Sequence, residues 1–286
     1  GDSFQATAGL NSLLDEEFNA SFIYPYRYDT LQVPWFNLLG NMDYVDSTHC
    51  GSFLTFEQVQ CLPYRRQLIR SPEYEVDPRL RERDERWFAD RYYSVRVNDD
   101  LELFYGDTSP LISEYFQYSW AYEIQGGLSE QSVEAQLAYL EGALANSTAA
   151  FKILNGHHPI YSNGFSGGYA EVRDAYLPLI EKYNVSAYIN GHDHSLQHII
   201  KGGVHYINSG AGSVTQPGFF RNEPAVFEYD MPGFTAYVLD RNGITVYYFD
   251  DAGQGLHNFT IPRPGGPKEV SSGGRVAVDI VINHDN

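Results

Sequence analysis

The chain has 286 residues, 43% hydrophobic and 20% charged, a length and mixture that bury a full core and exclude a disordered chain. Its formal charge of −18, from 37 acidic against 19 basic residues, leaves no basic stripe for nucleic acid. No apolar stretch approaches the ~20 residues of a bilayer-spanning helix, which excludes a transmembrane segment of that kind.

After Gly1-Asp2, residues Leu14 to Tyr24 read as a short helix. The apolar run Val33-Pro34-Trp35-Phe36-Asn37-Leu38-Leu39 reads as a buried strand stopping at Gly40-Asn41. Residues 43–90 are loop-rich, and the charged stretch Asp77 to Asp90 reads as a solvated helix face. Tyr92 to Val97 and Leu101 to Tyr105 follow as strands. Ser129 or Ser132 caps a helix running to about Asn146, with Val133, Leu137, Leu140 and Leu144 on one face. Strand Ala150 to Leu154 then leads into Asn155-Gly156-His157-His158-Pro159. A helix near Ala170 to Tyr183 precedes strand Val185 to Ile189 and the cluster Asn190-Gly191-His192-Asp193-His194. Beyond it the pattern turns to antiparallel strands: Leu196–Ile200, Val204–Ile207, Phe234–Leu239, Ile244–Phe249 and Leu256–Ile261. Lys201-Gly202-Gly203 and Arg241-Asn242-Gly243 supply turns. The fold class is α/β.

The polar clusters follow apolar strands directly, so they gather at one sheet edge, where open α/β sheets bind ligands. Gly191-His192-Asp193-His194 is the strongest signal, joined by Gly156-His157, Gly40-Asn41 and Gly1-Asp2. Imidazole nitrogens with carboxylate and amide oxygens suit Fe, Zn or Mn, and no cysteine belongs to the set. Asp43 and Asp193 read as hydrogen-bonding groups behind the ligands. His198 and His205 read as packing or surface residues.

In order and spacing these blocks resemble the motifs of purple acid phosphatases of the small, tartrate-resistant type. Val33-Pro34-Trp35, Gly106-Asp107-Thr108 and Asn208-Ser209-Gly210-Ala211-Gly212 extend the resemblance, which runs from residue 1 to about Arg263. It implies two stacked mixed sheets flanked by helices, a metallophosphoesterase sandwich with a two-metal centre. By the same resemblance Asp2 is the bridging carboxylate, Asn41, His157 and His192 complete a divalent-metal site, and His194 belongs to a ferric site.

Three departures weaken the implied chemistry. The family's upstream Asp-x-Gly has no counterpart in these residues, its metal-binding tyrosine aligns with Gln5, and Met42 stands where the family has a histidine. A thioether has no proton to give, and losing an acid there costs roughly 10²–10⁴-fold in rate. His158 lines the pocket and is the candidate substitute acid. We expect one divalent ion (Fe, Zn or Mn) rather than an intact pair. We also expect an upstream segment of the gene product, or another chain, to complete the first sheet.

Cys50 and Cys61 read as a local disulfide, with two buried thiols as the alternative. Asn-x-Ser/Thr sequons occur at Asn19, Asn146, Asn184 and Asn258 and lean toward a secreted or cell-surface glycoprotein. Residues 1–263 form the metallophosphoesterase domain. Residues 264–286 form a Gly/Pro/Ser linker and an extension strand with Val276, Val278, Ile280 and Ile282 at period two. That strand, 275–283, either edges the same domain or adds to a neighbouring chain in a homo-oligomer. The functional expectation is a degenerate family member with a structural, assembly or binding role. The alternative is an active phosphomonoesterase, and a third reading is a metal-dependent binder of phosphate or phospholipid head groups.

Overall fold

The computed structural model describes residues 1–4, 9–44, 71–118 and 120–264; Gln5, Cys50, Cys61 and the 275–283 segment lie outside them. The strands are β1 (Trp35–Asn37), β2 (Trp87–Ala89), β3 (Tyr92–Arg96), β4 (Leu101–Gly106), β5 (Phe151–Asn155) and β6 (Ala187–Asn190). They continue as β7 (Leu196–Lys201), β8 (Val204–Ser209), β9 (Ala225–Tyr229), β10 (Gly233–Leu239), β11 (Gly243–Asp250) and β12 (Gly255–Pro262). The α-helices are α1 (Glu16–Phe18), α2 (Pro72–Val76), α3 (Trp120–Glu123), α4 (Val133–Asn146) and α5 (Ala170–Lys182). None of the described helices is long and apolar enough to cross a membrane.

Seven strands form one mixed sheet in the order β3-β4-β5-β6-β8-β7-β9, and β10-β11-β12 form a second, antiparallel sheet. Strands β4, β5, β6 and β8 run parallel to one another, so the segments leaving their C-terminal ends emerge along one edge. Period-two alternation divides the side chains of the large sheet between two cores. Phe104, Leu154 and Tyr188 face Leu140 and Leu144 of α4 and Val172, Tyr176 and Ile180 of α5. Phe151, Ile153, Ala187 and Ile207 face Ile244, Val246, Tyr248 and Ile261 of the second sheet. Each such buried side chain contributes about 1.5–3 kcal/mol, and the two cores make the sandwich that the resemblance implies.

Ser132 is the cap of α4, its Oγ accepting the Ala135 amide at 3.1 Å. The buried polar residue of that helix is Gln136. Its amide bonds both the N–H and the C=O of Asp107 at 2.8 Å, tying α4 to the end of β4.

Two expectations fail. The first strand is short, and Phe36 is 37% exposed rather than buried. Pro34 offers no amide for pairing, and among the described residues β1 has β2 as its one strand partner. The charged stretch from Asp77 is not a solvated helix. Pro78–Glu82 forms a 3-10 turn and residues 87–89 form β2. Arg79 and Arg81 are exposed, but the other two arginines turn inward: Arg83 donates to the carbonyls of Leu13 and Asp15 and to Asn19 Oδ1, while Arg86 donates to those of Tyr26 and Leu31. They clamp the first segment of the chain, whose Phe4, Phe18 and Phe22 pack around Trp87. That aromatic cluster anchors the turn carrying Asp2.

Candidate metal centre

Four segments converge at the sheet edge. Asn41 opens the 3-10 turn after β1, His157 follows β5 and His192 follows β6, while Asp2 lies two residues before the buried Phe4. His157 Nε2 lies 2.9 Å from Asn41 Oδ1, 3.0 Å from His192 Nδ1 and 3.3 Å from Asp2 Oδ2. His192 Nδ1 lies 3.0 Å from Asn41 Oδ1.

Backbone conformation aims these groups. Asp2 and His192 have φ of 59° and 61°, left-handed values that L side chains adopt at a cost of about 1–3 kcal/mol. Asp43 restrains the first: its Oδ2 accepts the amides of Asp2 at 3.0 Å and Gly40 at 2.8 Å. Met42 N donates to Asp2 Oδ1 at 2.8 Å, leaving Oδ2 toward His157. Gly40 is required for close approach, because a Cβ there would meet Asp2 Oδ1 at 2.2 Å. The His192 loop is held by Asn208, whose amide donates to the carbonyls of Asp193 and Ser195 at 2.9 Å. Asp193 ties the loop to the next segment, accepting from the Ser162 hydroxyl and from Ser166 N.

Burial lowers His157, and it lowers His192 to about 3 with His157 adding to the shift, so both rings are neutral and present lone pairs. The two nitrogens and Asn41 Oδ1 crowd within hydrogen-bond distance, yet at most one proton can serve each nitrogen. A cation satisfies all of them together. Ligand atoms held about 2.1 Å from one ion lie about 3–3.5 Å apart, close to the separations seen here. The donor set of two imidazoles, a carboxylate and an amide oxygen fits Zn, Fe or Mn. Tyr169 OH lies 2.8 Å from His192 Nε2 and fixes the ring, the usual partner role behind a metal-ligating histidine.

His158 also has a ring nitrogen within the 4.8 Å cluster formed with His157 and His192, so the three histidines together could bind a metal. Its chemistry sets it apart. Nδ1 pairs with Thr108 Oγ1 and Nε2 with Tyr115 OH, both at 2.7 Å, and the residue is fully buried. Its amide and carbonyl are bonded to Thr108 Oγ1 and Tyr188 OH. Burial, then the neighbouring His192 and His157, hold it well below the ordinary histidine range. With both nitrogens engaged, His158 serves as a neutral strut and is poorly suited to supply a proton or a lone pair.

His194 lies outside that cluster. Met42 is half-buried, on the same turn as Asn41. Asp107 and Thr108 support the site from behind: Asp107 accepts from the Tyr44 hydroxyl and from Ser109 N, and Thr108 holds His158. Sequence reasoning missed Tyr169, Tyr115 and Glu75, since nothing local marks them. Glu75 is a buried carboxyl pushed well up by burial and then by Asp43 and Asp2.

Histidines following two adjacent parallel strands, with a second sheet packed behind, fit a metallophosphoesterase, and the calcineurin-like phosphoesterase family model matches residues 1–196. The chain belongs to that family and, within it, to the purple acid phosphatase group. It is 32% identical over 264 residues to purple acid phosphatase 4 of Arabidopsis thaliana, covering 88% of this chain and 69% of that one. It is 26% identical over 275 residues to tartrate-resistant acid phosphatase type 5 of Oryctolagus cuniculus, covering 92% and 78%. Among solved structures, GAP50, the anchor in the inner membrane complex of Plasmodium, shares the fold with a TM-score of 0.65 and 20% identity. That likeness covers 90% of this chain and 75% of the other.

Proposed function

We propose that this chain is a purple-acid-phosphatase-like protein that holds one divalent ion on Asp2, Asn41, His157 and His192 and has lost most hydrolytic power. In this reading it serves as a scaffold or binding protein. The observation that carries the reading is the position of Met42, a residue with no proton to give, on the turn that presents Asn41. His158, the candidate to replace the lost acid, is locked by Thr108 and Tyr115. A bound ion would supply charge stabilisation for a phosphoryl group, while Asp2, Asn41, His157 and His192 hold it and Tyr169 orients His192. The fold is compatible with a non-enzymatic role, since its neighbour GAP50 is an anchor.

An active phosphomonoesterase is the second reading, favoured by the intact four-donor cluster and by the phosphatases among the relatives. Exposure of Asn146, Asn184 and Asn258 is compatible with a secreted or cell-surface glycoprotein. Asn19 is half-buried, and its side chain is bonded to Arg83 and Glu16. Hydrolysis of an aryl phosphate by the purified chain, with iron, zinc and manganese in turn, separates the two readings. A silent parent beside an active Met42→His variant supports the scaffold reading. Strong turnover by the parent, abolished in His192→Ala, establishes the enzyme.

A further inference from the structure

The second sheet ends in an edge that lacks the usual protection. Among the described residues β10 pairs with β11 alone; on its other side Gly233 N donates to Ala211 O at 3.2 Å, and the amides and carbonyls beyond it have no strand. Native edges are shielded by charges, proline or bulges. The sequence of β10, Gly-Phe-Thr-Ala-Tyr-Val-Leu, has no charge and no proline, and its register with β11 is unbroken over seven residues. Phe234 is 47%, Tyr237 40% and Val238 48% exposed, so the edge is both open and apolar.

The chain leaves β12, on the opposite edge of the same sheet, at the end where β10 turns into β11. Arg263 N donates to Asn242 O at 2.9 Å, and Arg263 Nε donates to Arg241 O at 3.3 Å. Its guanidinium also pairs with both oxygens of Asp100. Asn242 and Arg241 form the β10–β11 turn, so the exit point is pinned at the C-terminal end of β10. Strands β10, β11 and β12 form a meander, and a fourth strand returning beside the first would complete a Greek key.

We propose that residues 275–283 of the same chain dock antiparallel on the free edge of β10. From Arg263 the path to that edge crosses two strand spacings, about 10 Å. The intervening Gly/Pro/Ser-rich residues, about a dozen, span up to about 40 Å, enough to turn and return. A segment starting at this end of the sheet runs antiparallel to β10 without a further reversal. Its Val276, Val278, Ile280 and Ile282 recur at period two and present one apolar row, matching the pleat of an edge with apolar side chains. Attachment to the same chain gives this segment a high effective concentration, which favours it over a free competitor.

Hydrogen exchange on the full chain tests the docking, reading the β10 amides that point away from β11. The parent is expected to protect them, and Ile280→Pro, which removes a central donor, to speed their exchange about tenfold or more with β7 and β8 unchanged. Ile280→Asn serves if the proline also raises exchange in β7 and β8. Protection independent of protein concentration in a monomer supports the intramolecular strand. Protection that appears only with dimer formation assigns the edge to a second copy and overturns the proposal. Equal exchange of β10 in parent and variants overturns it as well.

Discussion

His157 Nε2 and His192 Nδ1 face each other at 3.0 Å, two ring nitrogens from loops that leave adjacent parallel strands. Neutral imidazoles meet in this way through one shared proton or one shared cation, and Asn41 Oδ1 lies within 3.0 Å of both. A cation there would satisfy every donor at once.

His158→Ala is expected to cost stability while leaving metal binding in place. It removes a buried ring and takes one hydrogen-bond partner each from the hydroxyls of Thr108 and Tyr115, a loss of about 2–4 kcal/mol. Urea denaturation measures the first effect and metal analysis the second. A variant of unchanged stability that fails to bind metal would show His158 to be a ligand.

Gly40→Ala is expected to disturb Asp2 before anything else. The added methyl meets Asp2 Oδ1 at 2.2 Å and His157 Cε1 at 2.8 Å, so the turn must move. Overpacking of this kind costs about 1–3 kcal/mol. Metal affinity should fall with it, read by competition with a chromogenic chelator. Unaltered affinity would show that the turn carrying Asp2 does not set the site.

Stability is expected to fall in acid through a second histidine cluster, between the two sheets. His198 bonds His257 at 3.2 Å and His205 at 3.0 Å, and its ring stacks on Phe259. Burial holds His198 at about 3, with His205 and His257 adding to the shift, and burial holds His205 at about 4. An unfolded histidine titrates near 6.5, so below that pH the unfolded chain takes up protons that the fold refuses. The stabilisation is therefore complete above about pH 6.5 and is lost as pH falls toward 4, by up to about 1.4 kcal/mol per pH unit for each ring. Urea midpoints measured at pH 7 and 5 should differ, and His198→Phe should reduce the difference. Equal midpoints would contradict the assignment.

The strand-end logic made three of the four donors legible, because Gly40-Asn41, Gly156-His157 and Gly191-His192 each follow an apolar run, while Asp2 follows none and was assigned by the family resemblance. The role of His158 was not legible. It is decided by Thr108 and Tyr115, 50 and 43 residues away, and no local pattern reports that both ring nitrogens are taken. Arg83 and Arg86 misled for a related reason: a charge-rich stretch ordinarily marks a solvated face, yet here carbonyls of the 13–31 segment accept from the inward-turned guanidiniums. β9 was missed because its alternation is weak, with Val226 exposed and Phe227 turned toward the second sheet.

Elemental analysis of the purified chain, after loading with zinc or manganese and removal of excess, gives the number of ions the four donors hold. One ion per chain is expected, lost in Asn41→Ala and His192→Ala and retained in His194→Ala. No bound ion, or a pair of ions that requires His194, would contradict it.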